Sequence, residues 1–283
     1  MYLLRKMVLA GLLFSAGVNM FAQESAYAYD ANGNLTKDLN KNIVDIQYNS
    51  LNLPSRIVFK NGDNISHVYS ADGSKLRTVR VADGDTLTTD YCGNVIYENG
   101  VPVRLMTDVG YIALSDTSYH YFIKDHQGNV RVVADEHGNA EEVNDYYPFG
   151  GLMSTSSRQS VQPYKYNGKE LETACGVNWY DYGARRYDPV LGRWNGVDPL
   201  CEDYYSENPY GYCGNNPVNY VDPNGLMKVL YNPDGTYKET THNNWFHNTF
   251  MGRQEYIDYG DRKVHLSESE FWQWQRSGSY ENV

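Results

Sequence analysis

The chain is short of cysteine, of positive charge and of long apolar runs. Its four cysteines, Cys92, Cys175, Cys201 and Cys213, form no CxxC pair, which argues against a zinc site. An oxidising compartment would permit disulfides. Cys201 and Cys213 are candidates to pair, and free buried thiols fit the sequence equally well. Lys and Arg total 24 against 35 Asp and Glu, for a net charge of −11. Phosphate recognition is built on Lys and Arg, so nucleic acid is not expected as a stoichiometric partner of the core. The apolar run at 8–18, VLAGLLFSAGV, falls short of the roughly 20 residues that a membrane helix needs. No Gly-rich phosphate loop follows a strand, and no Ser nucleophile elbow occurs. Neither a cofactor nor a metal is expected.

The same apolar run fits a secretory signal over residues 1–22. Arg5 and Lys6 precede it, and Ala22 supplies a small residue before the cut. No cysteine lies near that cut, so no lipoprotein anchor is indicated. The expected location is outside the cell or in its envelope, without a membrane span.

What the chain does have is tyrosine: 27 residues, against 8 Phe and 5 Trp. That bias suits sheet surfaces better than a helical core. From residue 25 to 133, short β-prone runs alternate with turns centred on glycine. These are Gly33, Gly62, Gly73, Gly84, Gly93, Gly100 and Gly128, and Gly138 continues the series, most of them beside Asn or Asp. Such pairs favour tight hairpins because both residues accept positive φ. The intervening strands are expected at Ile43–Tyr48, 56–60, 75–81 and Tyr119–Lys124. In 75–81, Val79 and Val81 share one face, and Leu76 and Thr78 the other. Together they predict an antiparallel meander that needs stacked neighbours and capped ends.

Residues 164–226 are the densest in turn formers and aromatics: YKYNGKELETACGVNWYDYGARRYDPVLGRWNGVDPLCEDYYSENPYGYCGNNPVNYVDPNGL. Upstream stand DHQGNVR (125–131) and YYPFG (146–150). In order and spacing this stretch, roughly 120–226, resembles the core-associated region of the RHS/YD-repeat family. Tyr29-Asp30-Ala31-Asn32-Gly33-Asn34-Leu35 is similar to a single YD repeat. Arg186 departs from the family pattern, which has an aromatic there. His126, in the DHQGNVR turn, reads as structural. Together with the leader, the resemblance implies four segments. They are a signal peptide (1–22), a degenerate YD-repeat meander (23–119), an RHS repeat-associated core (120–226) and a variable C-terminal tip (227–283). The fold expected is mainly β: a curved or partly closed shell capped by a Tyr/Gly/Pro-rich plug, with a small α+β tail.

Large members of the family wrap a closed shell around the tip. About 16 strands at ~4.8 Å spacing would close with a diameter of about 24 Å, of which inward side chains fill ~10 Å. A folded tail of this length measures about 26 Å across. It would not fit inside, so an open or partly closed sheet is expected.

The sharpest chemical candidates are Asp198 and Asp222, each in an Asp-Pro step. The resemblance implies aspartates acting as a self-cleaving peptidase, with the cut at the Leu226–Met227 bond. Such chemistry needs two carboxylates sharing a proton, one activating water and one protonating the carbonyl. Asp before Pro is also an ordinary turn residue. Two features depart from the self-cleaving pattern. Leu200-Cys201 follows the first Asp-Pro where a glycine is common, and Gly211 stands where some toxin-complex members carry a second catalytic Asp. Asp203 is a nearby substitute in sequence.

The tail holds an aromatic cluster at Trp245, Phe246 and Phe250, and a capping box at Ser267–Glu270 predicts a helix over 268–276. His242, His247 and His265 match no metal or nuclease motif, and six basic residues against eight acidic ones do not make a basic face. The leading expectation is a scaffold presenting a variable tip in intercellular competition or surface interaction, with an immunity protein as partner of the tip. The alternatives are an aspartyl autoprotease releasing a toxic tip, and a surface module whose aromatic faces bind carbohydrate or protein.

Overall fold

The structure is a computed structural model, described here for residues 25–157, 161–203, 207–226 and 228–231. Three short strands at 237–240, 256–258 and 263–265 are described beyond these. Residues 1–22, Met227, His242, His247 and the expected helix at 268–276 lie outside the described residues.

Thirteen strands, from Tyr27–Tyr29 to Ala140–Val143, form one sheet in strict sequence order. Every neighbouring pair is antiparallel, and the first and last strands are the two edges. The expected meander is therefore present, and it is open. Strands Ile43–Tyr48 and Tyr119–Lys124 have the expected bounds, the strand expected at 56–60 runs over Pro54–Phe59, and the one at 75–81 extends to Lys75–Ala82. All eight turn glycines named above have positive φ, between 63° and 94°.

A second device repeats beneath the glycines. In Asp30–Asn34, Asp125–Asn129 and Asp135–Asn139, the Asp Oδ1 accepts the backbone N–H groups two and four residues on. The same Asp Oδ2 accepts from the Asn side chain at 3.1, 2.9 and 2.8 Å. Each D-x-x-G-N turn thus satisfies its own backbone donors while glycine supplies the left-handed step.

One face of the sheet is apolar and the other is not. Leu35, Ile43, Ile46, Ile57, Phe59 and Ile65 are buried and pack with Val177 and Trp179 from the turn-rich knot. In Lys75–Ala82, Thr78 is fully buried, yet Leu76 on the same face is 44% exposed. Alternation alone does not set burial there, because cover depends on how far the knot reaches. Gly110 marks a tight approach: a Cβ there would meet the His120 carbonyl oxygen at 1.9 Å.

The knot carries its own core of Tyr166, Leu171, Tyr180, Tyr182, Tyr187, Trp194, Tyr212 and Cys213. Its tyrosines are not replaceable phenylalanines. The hydroxyls of Tyr166, Tyr187 and Tyr180 donate to the carbonyls of Pro148, Phe149 and Gly150 at 2.8–2.9 Å. Those of Tyr182 and Tyr212 both reach Asn167 Oδ1 at 2.7 Å. The rings thus bury apolar area while their tips satisfy the YYPFG loop and one half-buried amide. Gly150 sits on the Tyr166 ring with φ +86°, where a Cβ would be 2.6 Å from ring carbons.

The knot touches the sheet from one end of its strand order to the other. Tyr210 bonds Gly33 at 2.8 Å, Arg186 bonds Tyr69 at 2.9 Å, and Asn167 bonds Asn129 at 2.8 Å. A sheet whose early and late strands meet one plug must curl around it.

Between them lies a network of three cations and three anions. Lys75 pairs with Glu170 and Asp181, both at 2.6 Å, and Arg80 pairs with Glu172 at 2.6 Å. Arg186 pairs with Asp181. Its neighbours therefore neutralise the residue that departs from the family aromatic. Arg186 and Lys75 hold the Asp181 carboxyl far below its usual range against the opposing effect of burial.

Candidate active site

Asp198 and Asp222 come from separate turns of the knot, and each does two jobs. Asp222 Oδ1 accepts the backbone N–H groups of Asn224, Gly225 and Leu226, at 3.2, 2.7 and 3.2 Å. Asp198 Oδ1 accepts from Leu200 N–H at 2.8 Å, and its carbonyl closes the turn onto Cys201 at 3.0 Å. So both are turn residues, as the Asp-Pro steps suggest. Both also aim Oδ2 at the same nitrogen: Arg185 Nη2 lies 2.8 Å from Asp198 and 3.5 Å from Asp222.

Arg185 was not singled out in the sequence, and it organises the site. Its Nε donates to the Gly225 carbonyl at 2.5 Å and its Nη1 to the Pro209 carbonyl at 3.3 Å. Its guanidinium lies 4.3 Å from the centre of the Trp194 ring. A hint was available: two carboxylates expected to converge demand a cation, and the knot offers Arg185-Arg186 between aromatic strand residues. Asp222 is enclosed, whereas the Asp198 side chain keeps 15% of its surface exposed. Burial pushes the Asp222 carboxyl up to about 6, against the pull of Arg185 and the turn N–H groups, and Asp198 pushes the same way.

The carboxylates, Arg185, Trp194 and Cys213 line a cavity of about 30 Å³, room for a water molecule by the ~10–15 Å³ such a site requires. Gly211 lines it too, offering backbone where some relatives of the resembled family carry an acid. Asp203 lies in the 3-10 turn Cys201–Asp203, and its side chain is outside the described residues. Leu226 is buried and held by Asp222 and Asn224, which places one side of the expected cut beside the pair. Met227, the other side, lies outside the described residues. All four cysteines are free thiols, so Cys201 and Cys213 are not joined, and burial raises the Cys213 thiol well above its usual range. Among the described residues, no three His, Cys, Asp or Glu are grouped as a metal site, and no helix is long and apolar enough to cross a membrane. A larger cavity of about 1080 Å³ lies between sheet and knot, away from the aspartates, lined by Tyr91, Arg104, Phe149 and Glu170 among others.

The raised Asp222 sets a pH dependence. A carboxyl at 3.8 when unfolded and about 6 when folded favours folding below pH ~4. That contribution is lost as pH rises through 6 and amounts to roughly 3 kcal/mol. Urea unfolding of the wild type and of Asp222→Asn, from pH 4 to 7.5, should show their stability difference drifting against the wild type by about this amount. A flat difference would mean that Asp222 is not raised.

No family model matches the chain. Salivary gland surface protein 1 of Aedes aegypti is 30% identical over 233 residues, covering 73% of this chain and 7% of that protein. Toxin subunit YenC1 of Yersinia entomophaga is 37% identical over 116 residues, covering 40% of this chain and 12% of that protein. The chain therefore spans a small part of the curated relatives it matches. Among solved structures, the crystal structure of TcdB2-TccC3 without its hypervariable C-terminal region matches with a TM-score of 0.57 at 21% identity. That match covers 70% of this chain and 11% of the other. The likeness shows a shared fold, and together these matches support an RHS-related family for the chain.

Proposed function

We propose that this chain is a secreted or cell-envelope RHS-type scaffold that presents residues 227–283 as a variable tip, in intercellular competition or surface interaction. The observation that carries this reading is the clamp at the exit of the knot. Asp222 and Arg185 bind the backbone of Gly225 and Leu226, which fixes the start of the segment that follows, and that segment first returns to the knot as strand Val229–Tyr231, paired with Tyr220–Val221. The named toxin subunit among its relatives, and the fold shared with a structure whose title sets apart a hypervariable C-terminal region, agree with it. On this reading the tip sets the target, and a cell-surface protein, a carbohydrate or an immunity protein is its partner.

A second reading adds chemistry to the same point: cleavage between Leu226 and Met227 by the aspartate pair. The raised Asp222 carboxyl beside a water-sized cavity favours it.

The scaffold reading is tested by ending the chain after Thr240, which keeps strands Val229–Tyr231 and Tyr237–Thr240, the first of them paired onto Tyr220–Val221 of the knot. The shortened protein should unfold in one transition within about 4 °C of the full chain, the shift expected for ~1 kcal/mol or less at this size. If the shortened chain aggregates or melts far lower, residues 241–283 are part of the core and not a presented tip.

A further inference from the structure

A second buried cluster lies where the last strand of the large sheet meets the knot. It consists of Glu142, on strand Ala140–Val143, Asn144 just after it, and Lys165 just before the 3-10 turn Tyr166–Gly168. All three are at most 1% exposed. Glu142 Oε1 accepts from Lys165 Nζ at 2.5 Å, from Asn144 Nδ2 at 2.5 Å and from Gln162 Nε2 at 3.2 Å. Lys165 Nζ also donates to the Gln162 carbonyl at 2.5 Å, and Asn144 Nδ2 to the Val130 carbonyl at 3.2 Å. Among the described residues, two atoms of this cluster have no partner: Glu142 Oε2 and Asn144 Oδ1.

A simple ion pair does not account for that distribution. Three donors crowd one carboxyl oxygen while its twin has none, and a buried amide oxygen lacks a donor. Moving one proton from Lys165 to Glu142 addresses the first fault. It leaves a neutral amine beside a neutral acid, so that no charge is stranded on the unpartnered carboxyl oxygen. Burial drives Lys165 in that direction, lowering its pKa against the attraction of Glu142. A desolvated, neutral lysine is a nucleophile, and of the two carboxamides that share the same carboxyl oxygen, Asn144 at 2.5 Å and Gln162 at 3.2 Å, Asn144 is the nearer.

We propose that Lys165 and Asn144 form an intramolecular isopeptide bond, with Glu142 as the proton-transferring catalytic residue. The Lys165 Nζ lone pair adds to Asn144 Cγ while the Glu142 proton stabilises the developing charge on Oδ1. Glu142 then gives its own proton to Nδ2 as it takes the surplus proton from Nζ. The Cγ–Nδ2 bond breaks, the Cγ–Nζ amide remains, and ammonia leaves. One ammonia is lost, Glu142 is regenerated, and no oxidant or co-reactant is consumed. The backbone already holds the partners in place. Val130 N–H donates to the Lys165 carbonyl at 3.1 Å, and Asn144 N–H to the Arg131 carbonyl at 2.8 Å. The product ties the sheet's edge strand to the knot.

The test is intact mass and peptide mapping of the purified full chain. The wild type should be lighter by one ammonia, about 17 Da, and its digest should contain one branched peptide joining Lys165 to Asn144. Glu142→Ala, Lys165→Met and Asn144→Ala should each restore the linear peptides. An N-terminal Gln23 exposed by signal cleavage also loses ammonia on cyclising, so the branched peptide decides and not the mass alone. Recovery of the Lys165 and Asn144 peptides separately from folded wild-type protein would overturn the proposal, and this reading needs no variant to fold.

Discussion

Arg185→Ala should lower stability by about 3–5 kcal/mol at neutral pH, the range found when one partner of a buried ion pair is removed. Arg185 is 5% exposed and serves four acceptors: two carboxylates and the carbonyls of Pro209 and Gly225. Its removal leaves Asp222 enclosed with no cation, and uncovers the Trp194 face on which the guanidinium lies. The variant should regain stability on acidification, because Asp222, already raised, protonates and sheds its buried charge. Arg185→Lys should recover little, since an ammonium lacks the flat fork that reaches several acceptors and stacks on an indole. In the double variant Arg185→Ala/Asp222→Asn the loss should shrink by at least 1 kcal/mol relative to additivity, because the stranded charge is gone. Urea titrations at pH 5 and 7.5 measure all of these. A loss below about 1 kcal/mol for Arg185→Ala, with no pH dependence, would show the guanidinium to be incidental to the knot.

The meander was legible because its determinants are local. Each D-x-x-G-N turn carries both its left-handed residue and the carboxylate that satisfies its donors within five positions, so one glance at Asp125–Asn129 predicts the hairpin. The aspartates were legible through their Asp-Pro turns and through the family resemblance. The cations were not. Lys75 meets Glu170 and Asp181 across 95 and 106 residues, and Arg186 meets Tyr69 across 117. No spacing rule links such positions, and in sequence a charge destined for the sheet-knot boundary reads like one for the surface. Arg186 illustrates the point. It looks like a lapse from an aromatic pattern until Asp181, Lys75 and Tyr69 are seen around it. Cover by the knot, equally non-local, is why Leu76 and Thr78 share a face and differ in burial.

Intact mass of the purified chain should show a break after Leu226, releasing residues 227–283, and the break should vanish in Asp198→Asn and in Asp222→Asn. The two aspartates differ in the way that acid-base partners must. Asp198, the more exposed, keeps a 2.8 Å bond to Arg185, while the enclosed Asp222 holds its proton up to about pH 6. Asp198 is thus placed to activate a water in the adjoining cavity, and Asp222 to protonate the carbonyl of Leu226, whose N–H it already binds. Arg185, by holding the Gly225 carbonyl, fixes the residue that precedes Leu226 and so lowers the entropic cost of attack. Either substitution should slow the break by roughly 10²-fold or more. The rate in wild type should fall as pH rises above 6, where Asp222 loses its proton. Cleavage within one chain should also be independent of protein concentration, which separates it from a contaminating protease. A single uncut mass at pH 5–7 in wild type and variants alike would reduce both aspartates to turn residues clamped by Arg185. The exit of the knot would then be a fixed point of attachment, from which the tip acts without being released.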